Sequence, residues 1–219
     1  MFILEYNQFN KFDISKSKEF IDFWSKYYHY KVKVQNKTEI IDYLKELNLG
    51  KDLSEQNMKR LLRWKDPHLL SDIIFSGSNE GKFNERVKNV ISSIGDINKF
   101  RFGNINESTF LENAQKIFPD GFVWRIFLLH IARPFDYPIG DQHVFRSFSI
   151  QMNRKIPTCW EEYMEYVQYF FQISISAGII SEKPMGNEPN IKEIVTNLKL
   201  VDNALFSFGQ FLKRYWDVK

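Results

Sequence analysis

The sequence predicts an all-α protein, a multi-helix bundle around one buried helix with few or no strands. Apolar residues recur at helical spacing in almost every window, which lays an apolar stripe along one side of each segment. Alternating, strand-like runs are confined to residues 1–4 and 30–34. Rings are abundant: 21 Phe, 10 Tyr and 5 Trp make up 16% of the 219 residues, enough to build a core largely from aromatic side chains.

Residues 15–28 open with Ser15 as a cap and carry Phe20, Phe23, Trp24 and Tyr27 on one stripe. Residues 38–47 repeat the pattern with Ile40, Ile41, Leu44 and Leu47, and both segments are expected as packed surface helices. Helix 54–64 is capped by Ser54 and stopped by Asp66-Pro67, helix 84–94 ends near Gly95, and helix 106–118 begins in a polar cluster and stops at Pro119. Residues 121–132 are apolar nearly all round, the pattern of a helix buried at the centre of a domain. Pro134 and Pro138 keep 133–140 out of a helix, and Asp141 then opens one whose Val144, Phe148 and Met152 share a face, the region closing at Pro157. A long aromatic helix over 158–177, a polar connector at 186–189 and a closing helix or helix pair over 191–216 complete the chain. No repeat, heptad run or low-complexity linker divides it. It reads as one helical domain over 1–219, or as two lobes of about 1–105 and 106–219 around a cleft.

The 30 Lys and Arg against 27 Asp and Glu give a net charge of +3 and a pI near 8.8, too even a balance to announce nucleic-acid binding by itself. A single cysteine, Cys159, excludes an internal disulfide framework, a four-thiolate zinc site and a cysteine-ligated iron–sulfur cluster. Beside Trp160 and with no histidine near it in sequence, Cys159 is expected to be buried rather than nucleophilic. His130, Asp141 and His143 are metal-binding residue types, but neither an H-x-x-x-H spacing nor an acidic cluster accompanies them, so no metal and no cofactor is expected. The segment around Gly77 is a turn signal and not a phosphate loop. No apolar stretch reaches the ~20 residues of a membrane-spanning helix. The first residues carry no signal-peptide pattern, and a soluble cytoplasmic chain is expected.

Residues 118–148, FPDGFVWRIFLLHIARPFDYPIGDQHVFRSF, join the buried helix, a proline-bounded loop and an acid-headed helix. An Asp at a helix start accepts orphan backbone N–H bonds and sits at the positive end of the helix dipole, which favours its ionised form. His143 and Arg146, three apart, are neighbours on one side of that helix. His143 is expected to bond a loop carbonyl, and Arg146 to pair with Asp136 or a helix carbonyl or else to meet a phosphate. Phe122 and Trp124 read as core rings, with base stacking as the alternative. Between 121 and 160, Arg125, Arg133, Arg146, Arg154 and Lys155 face only Asp136 and Asp141, so the whole chain's positive excess sits there. Arg125, Arg146, Arg154 and Lys155 are expected on one positive face that meets a phosphate backbone with modest, salt-sensitive affinity.

This stretch resembles the helix-hairpin-helix DNA glycosylase superfamily. Pro138, Ile139, Asp141, His143, Val144 and Arg146 reproduce its P-V-D-x-H-V-x-R pattern with Gly140 inserted, and Phe118, Pro119 and Gly121 resemble its hairpin without the paired glycines. The resemblance implies a glycosylase-like helical fold, DNA as partner, Asp141 as catalytic carboxylate, and Gln142, His143 and Arg146 as its support. Phe122 stands 19 residues before Asp141, where lyase-type members carry a nucleophilic lysine. Hydrolysis of the glycosidic bond alone is therefore implied, with Phe122 or Trp124 in the base pocket. The four-cysteine cluster of some branches is missing. Segments LLRWKDP, YPIGDQHVFR and DNALFSFGQFL are also similar to segments of uncharacterised bacterial proteins. Two other readings stay open: a scaffold of this fold that binds DNA or a protein without chemistry, and a nucleoside N-glycosidase that has discarded the DNA-binding hairpin.

Overall fold

The computed structural model describes residues 12–29, 32–34, 37–39, 41–66, 87–184 and 190–215. The expectations for 1–4, for Gly77 and for the connector at 186–189 lie outside them. The regular elements of the described residues are helical apart from one two-stranded hairpin, and the chain divides into two compact units, 29–133 and a discontinuous one made of 1–28 and 134–219. The division falls at 28/29 and 133/134 and not near 105.

In the unit 29–133, β1 (Val32–Val34) and β2 (Lys37–Glu39) run antiparallel with Val32 opposite Glu39 and Lys33 opposite Thr38. β1 falls in the strand-like run at 30–34. β2 takes the start of the helix expected over 38–47, and of that helix only α2 (Tyr43–Glu46) forms. The physical reason is local: Thr38 is β-branched and suits a strand, and Asp42 starts the helix late by accepting the Lys45 N–H at 3.1 Å. α3 (Glu55–Lys65) opens with a reciprocal capping box, Ser54 Oγ accepting from the Asn57 N–H and Asn57 Oδ1 from the Ser54 N–H, both at 3.2 Å.

α4 (87–92) turns at Ser93 directly into α5 (Ile94–Arg101), so Gly95 lies in a first turn instead of ending a helix. A glycine stops a helix where the backbone turns left-handed, and here that residue is Gly103, at φ +75° just past α5. α6 (Glu107–Ile117) is capped by Asn106, which accepts the Thr109 N–H at 2.9 Å. α7 (Phe122–Ala132) packs on α5 and α6, and residues 126–132 are all buried, as expected of the core helix. Phe100 and Phe110 stack beside it at 4.4 Å, and the Asn98 amide holds the Leu53 backbone at both its N–H (2.8 Å) and its C=O (3.1 Å).

The other unit begins with a 3-10 turn, Ile14–Lys16, capped by Asp13 and not by Ser15, then α1 (Ser17–Trp24) and a second 3-10 turn, Ser25–Tyr27. The stripe expected on α1 is not the buried face: Ile21 is buried, whereas Phe23 and Tyr27 are exposed. α8 (Gln142–Met152) ends on Asn153 in the left-handed region, followed by α9 (Trp160–Ser176) and α10 (Ile191–Tyr215), which is one continuous helix. α10 lies along α8 and α1, and α9 packs on all three. Cys159, expected to be buried, is exposed, because it occupies the N-cap position of α9, outside the helix's apolar face. No described helix is long and apolar enough to cross a membrane.

Candidate functional site

Asp141 caps α8. Its Oδ1 accepts the backbone N–H groups of His143 (2.7 Å) and Val144 (2.9 Å), so two of the helix's orphan donors are satisfied by one oxygen. Oδ2 accepts no hydrogen bond from a described residue, and the carboxylate is half-buried. The loop that delivers it is held from α9. Tyr163 donates to the Pro138 carbonyl at 2.8 Å and Tyr166 to the Ile139 carbonyl at 3.1 Å, while Tyr169 donates to Gln151 Oε1 on α8. The three phenols stand three residues apart on one buried face, and burial, with the Asp202 charge beside it, pushes the Tyr166 phenol well above its ordinary range, so it stays a donor.

Tyr166→Phe removes that donor and leaves the Ile139 carbonyl buried without it, a loss expected to lower stability by about 1–3 kcal/mol. Urea unfolding of the variant checks this; a loss below about 0.5 kcal/mol would show that the ring alone holds the loop.

His143 and Arg146 do meet, as their spacing predicts: Arg146 Nη1 donates to His143 Nδ1 at 3.2 Å, which requires a neutral imidazole at that nitrogen. Arg146 is 9% exposed, and its described partner is His143 instead of Asp136 or a helix carbonyl. The His143 ring packs edge-on against Phe206 of α10 at 5.0 Å. Burial holds its pKa below the usual 6.5; Arg146 and Lys213 push the same way, and Asp141 and the Gly209 backbone oppose them without reversing the sign. A depressed folded-state value means that the unfolded chain takes up the proton first. The contribution is therefore present above about pH 6.5 and is lost as pH falls through the folded-state value. Wild type is expected to lose more stability between pH 7.5 and pH 5 than His143→Gln, and parallel thermal-midpoint curves for the two proteins would contradict this.

The remaining residues are more scattered than the sequence suggests. Gln142 is exposed on the first turn of α8. Arg154 and Lys155 are exposed just after it, and Arg154 is drawn to Glu165 at 3.6 Å. Arg125 belongs to the other unit, where it lies over the Phe122 ring at 5.8 Å, and Arg146 is buried. Of these four cations, Arg154 and Lys155 are thus the exposed charges of the unit that holds Asp141. Phe122 and Trp124 are half-buried on α7, with Trp124 stacked on Phe118 at 5.4 Å. His130, buried in the unit 29–133, stacks on Tyr43 at 5.8 Å, and no cluster of metal-binding side chains occurs among the described residues.

Sequence reasoning missed the tyrosines of α9 and the part played by α10. The only signal for the first was three phenols at three-residue spacing on an apolar helix face, each of which needs an acceptor when buried. For the second there was one glycine, Gly209, inside a helix. A cavity of about 180 Å³ opens elsewhere in this unit among Ile179, Ile180, Glu182, Asn190, Glu193 and Asn197, and none of the residues singled out above lines it. No protein-family model, curated protein or solved structure matches the chain.

Proposed function

We propose that the chain is a cytoplasmic, DNA-directed protein of the glycosylase type, in which Asp141 assists hydrolysis of a base–sugar bond. One observation carries the reading. Asp141 is held by two backbone N–H bonds to a single oxygen, on a loop fixed by Tyr163 and Tyr166, with its second oxygen unengaged. Departure of a base from C1′ leaves an oxocarbenium-like sugar, and a carboxylate fixed before the reaction stabilises that charge without reorganising. The same carboxylate orients a water for attack at C1′ and accepts its proton. His143, bonded to Arg146, supports the start of α8 and takes no part in the proton transfer. No lysine lies between 118 and 132, so the product is an abasic strand with its backbone intact.

Oligonucleotides carrying alkylated, oxidised and deaminated bases, single-stranded and duplex, test this. Alkali is expected to cleave them only after incubation with the protein, and borohydride is expected to trap no covalent complex. A trapped complex would assign the chemistry to an amine nucleophile. A second reading, a scaffold of the same fold without chemistry, is favoured by the bond between His143 and the buried Arg146, which turns both side chains to each other and not to Asp141. It becomes the better account if no base is released from any substrate.

A further inference from the structure

Among the described residues of the unit formed by 1–28 and 134–219, the most exposed aromatic side chains are gathered in one place. Phe23 (53% exposed) and Tyr27 (54%) follow each other at the end of α1 and in the turn after it, and Phe211 (39%) and Tyr215 (71%) are one turn apart at the end of α10. Trp24 joins the two pairs, its ring 5.2 Å from Phe23, 6.0 Å from Tyr27 and 5.3 Å from Phe211. Phe208 backs Trp24 at 5.1 Å and is itself braced by Phe20 at 5.5 Å, so the row is fixed from beneath. The charges around it that no described ion pair takes up are positive. Glu19 and Asp22 are taken up by Lys16 (3.5 Å) and Lys18 (3.0 Å), whereas Lys26, Lys213 and Arg214 are exposed and form no ion pair with a described carboxylate.

We propose that this surface is a stacking platform for single-stranded nucleic acid, with bases on Phe23, Tyr27, Phe211 and Tyr215 and phosphates against Lys26 and Arg214. Every base has a flat face that stacks on a ring, and cations beside the rings collect the backbone. A duplex does not fit this chemistry, because its base faces are already stacked on each other. A second copy of the chain fits less well: a two-fold contact through these rings would gather Lys26, Lys213 and Arg214 of both copies at one interface, where the nearby carboxylates, Glu19 and Asp22, are already paired. Insertion into a lipid surface calls for free aliphatic side chains, and the aliphatic neighbour on this turn, Leu212, is buried. The proposal does not rest on chemistry at Asp141.

Fluorescence anisotropy of the full chain with labelled 12-nucleotide oligo(dT), oligo(U) and a duplex of equal length tests it. Single strands are expected to bind more tightly than the duplex. Tyr27→Ala with Tyr215→Ala is expected to weaken single-strand binding about tenfold or more, and Tyr27→Trp with Tyr215→Trp to retain it. Lys26→Ala with Arg214→Ala should weaken it and flatten its salt dependence. All four substituted side chains are exposed, so the circular dichroism and thermal midpoint should stay at wild-type values. Absence of binding at low salt would overturn the proposal, as would single-strand binding that the Tyr27/Tyr215 alanine pair leaves unchanged. It falls equally if that pair abolishes self-association or adhesion to anionic vesicles and not oligonucleotide binding. Single-strand binding that the Tyr27/Tyr215 alanine pair weakens, with no base released from any substrate, would uphold this platform and overturn the excision reading alone.

Discussion

Gly209→Ala is expected to destabilise the protein sharply, although Gly to Ala inside a helix ordinarily stabilises by about 1 kcal/mol. The sign reverses because α10 and α8 touch backbone to backbone at this residue. A Cβ built on Gly209 would lie 2.9 Å from the His143 Cα and closer still to its carbonyl carbon and oxygen. A flexible side chain could turn away, but a helix carbonyl cannot without moving α8, and overpacking of this kind costs about 3 kcal/mol or more. At roughly 2–4 °C per kcal/mol for a chain of this size, the thermal midpoint should fall by roughly 6–12 °C. Gly209→Val should fall further. The displaced carbonyl belongs to the residue whose N–H Asp141 caps, so any excision activity should fall with the midpoint. A midpoint equal to or above that of wild type would show that the two helices separate without penalty.

Gly209 also marks where the sequence stops being legible. A lone glycine in a helix has no local signature; its meaning is a crossing with a helix more than fifty residues earlier, and no window of sequence contains both. The elements that were readable carry their cause locally. Ser54, Asn106 and Asp141 are caps ahead of apolar periodicity, and α3, α6 and α8 begin just after them. The apolar run at 121–132 gave the core helix for the same reason. The segment 38–47 misled because its Ile and Leu spacing suits a helix, whereas Thr38 had a strand partner, Lys33, outside the window. The site divides in the same way. Asp141, His143 and Arg146 lie within six residues and their contacts follow from helix geometry. Tyr163 and Tyr166 reach the Pro138 and Ile139 carbonyls across 25 and 27 residues, a pairing that only tertiary packing creates. The discontinuous unit was equally hidden, since its two segments are joined by contacts and not by composition.

Asp141→Asn and Asp141→Ala together separate the two roles of this carboxylate. Asparagine caps a helix about as well as aspartate, so the amide oxygen can keep the His143 and Val144 N–H bonds and forfeits only the charge–dipole attraction, about 0.3–1 kcal/mol. Alanine forfeits the cap bonds as well, about 1 kcal/mol more. Stability should therefore fall in the order wild type, Asn, Ala, with Asn much nearer to wild type. Activity should not follow that order. If the charge on Asp141 stabilises the sugar cation, Asn and Ala are equally deficient, and base release should drop by about two to three orders of magnitude or more in both. Rates measured under single turnover on a substrate that wild type processes, alongside urea unfolding of all three proteins, give both orders from one set of samples. Should Asn keep wild-type activity while Ala loses it, the side chain acts only by holding α8 in place, and the charge that stabilises the sugar must be sought at another residue.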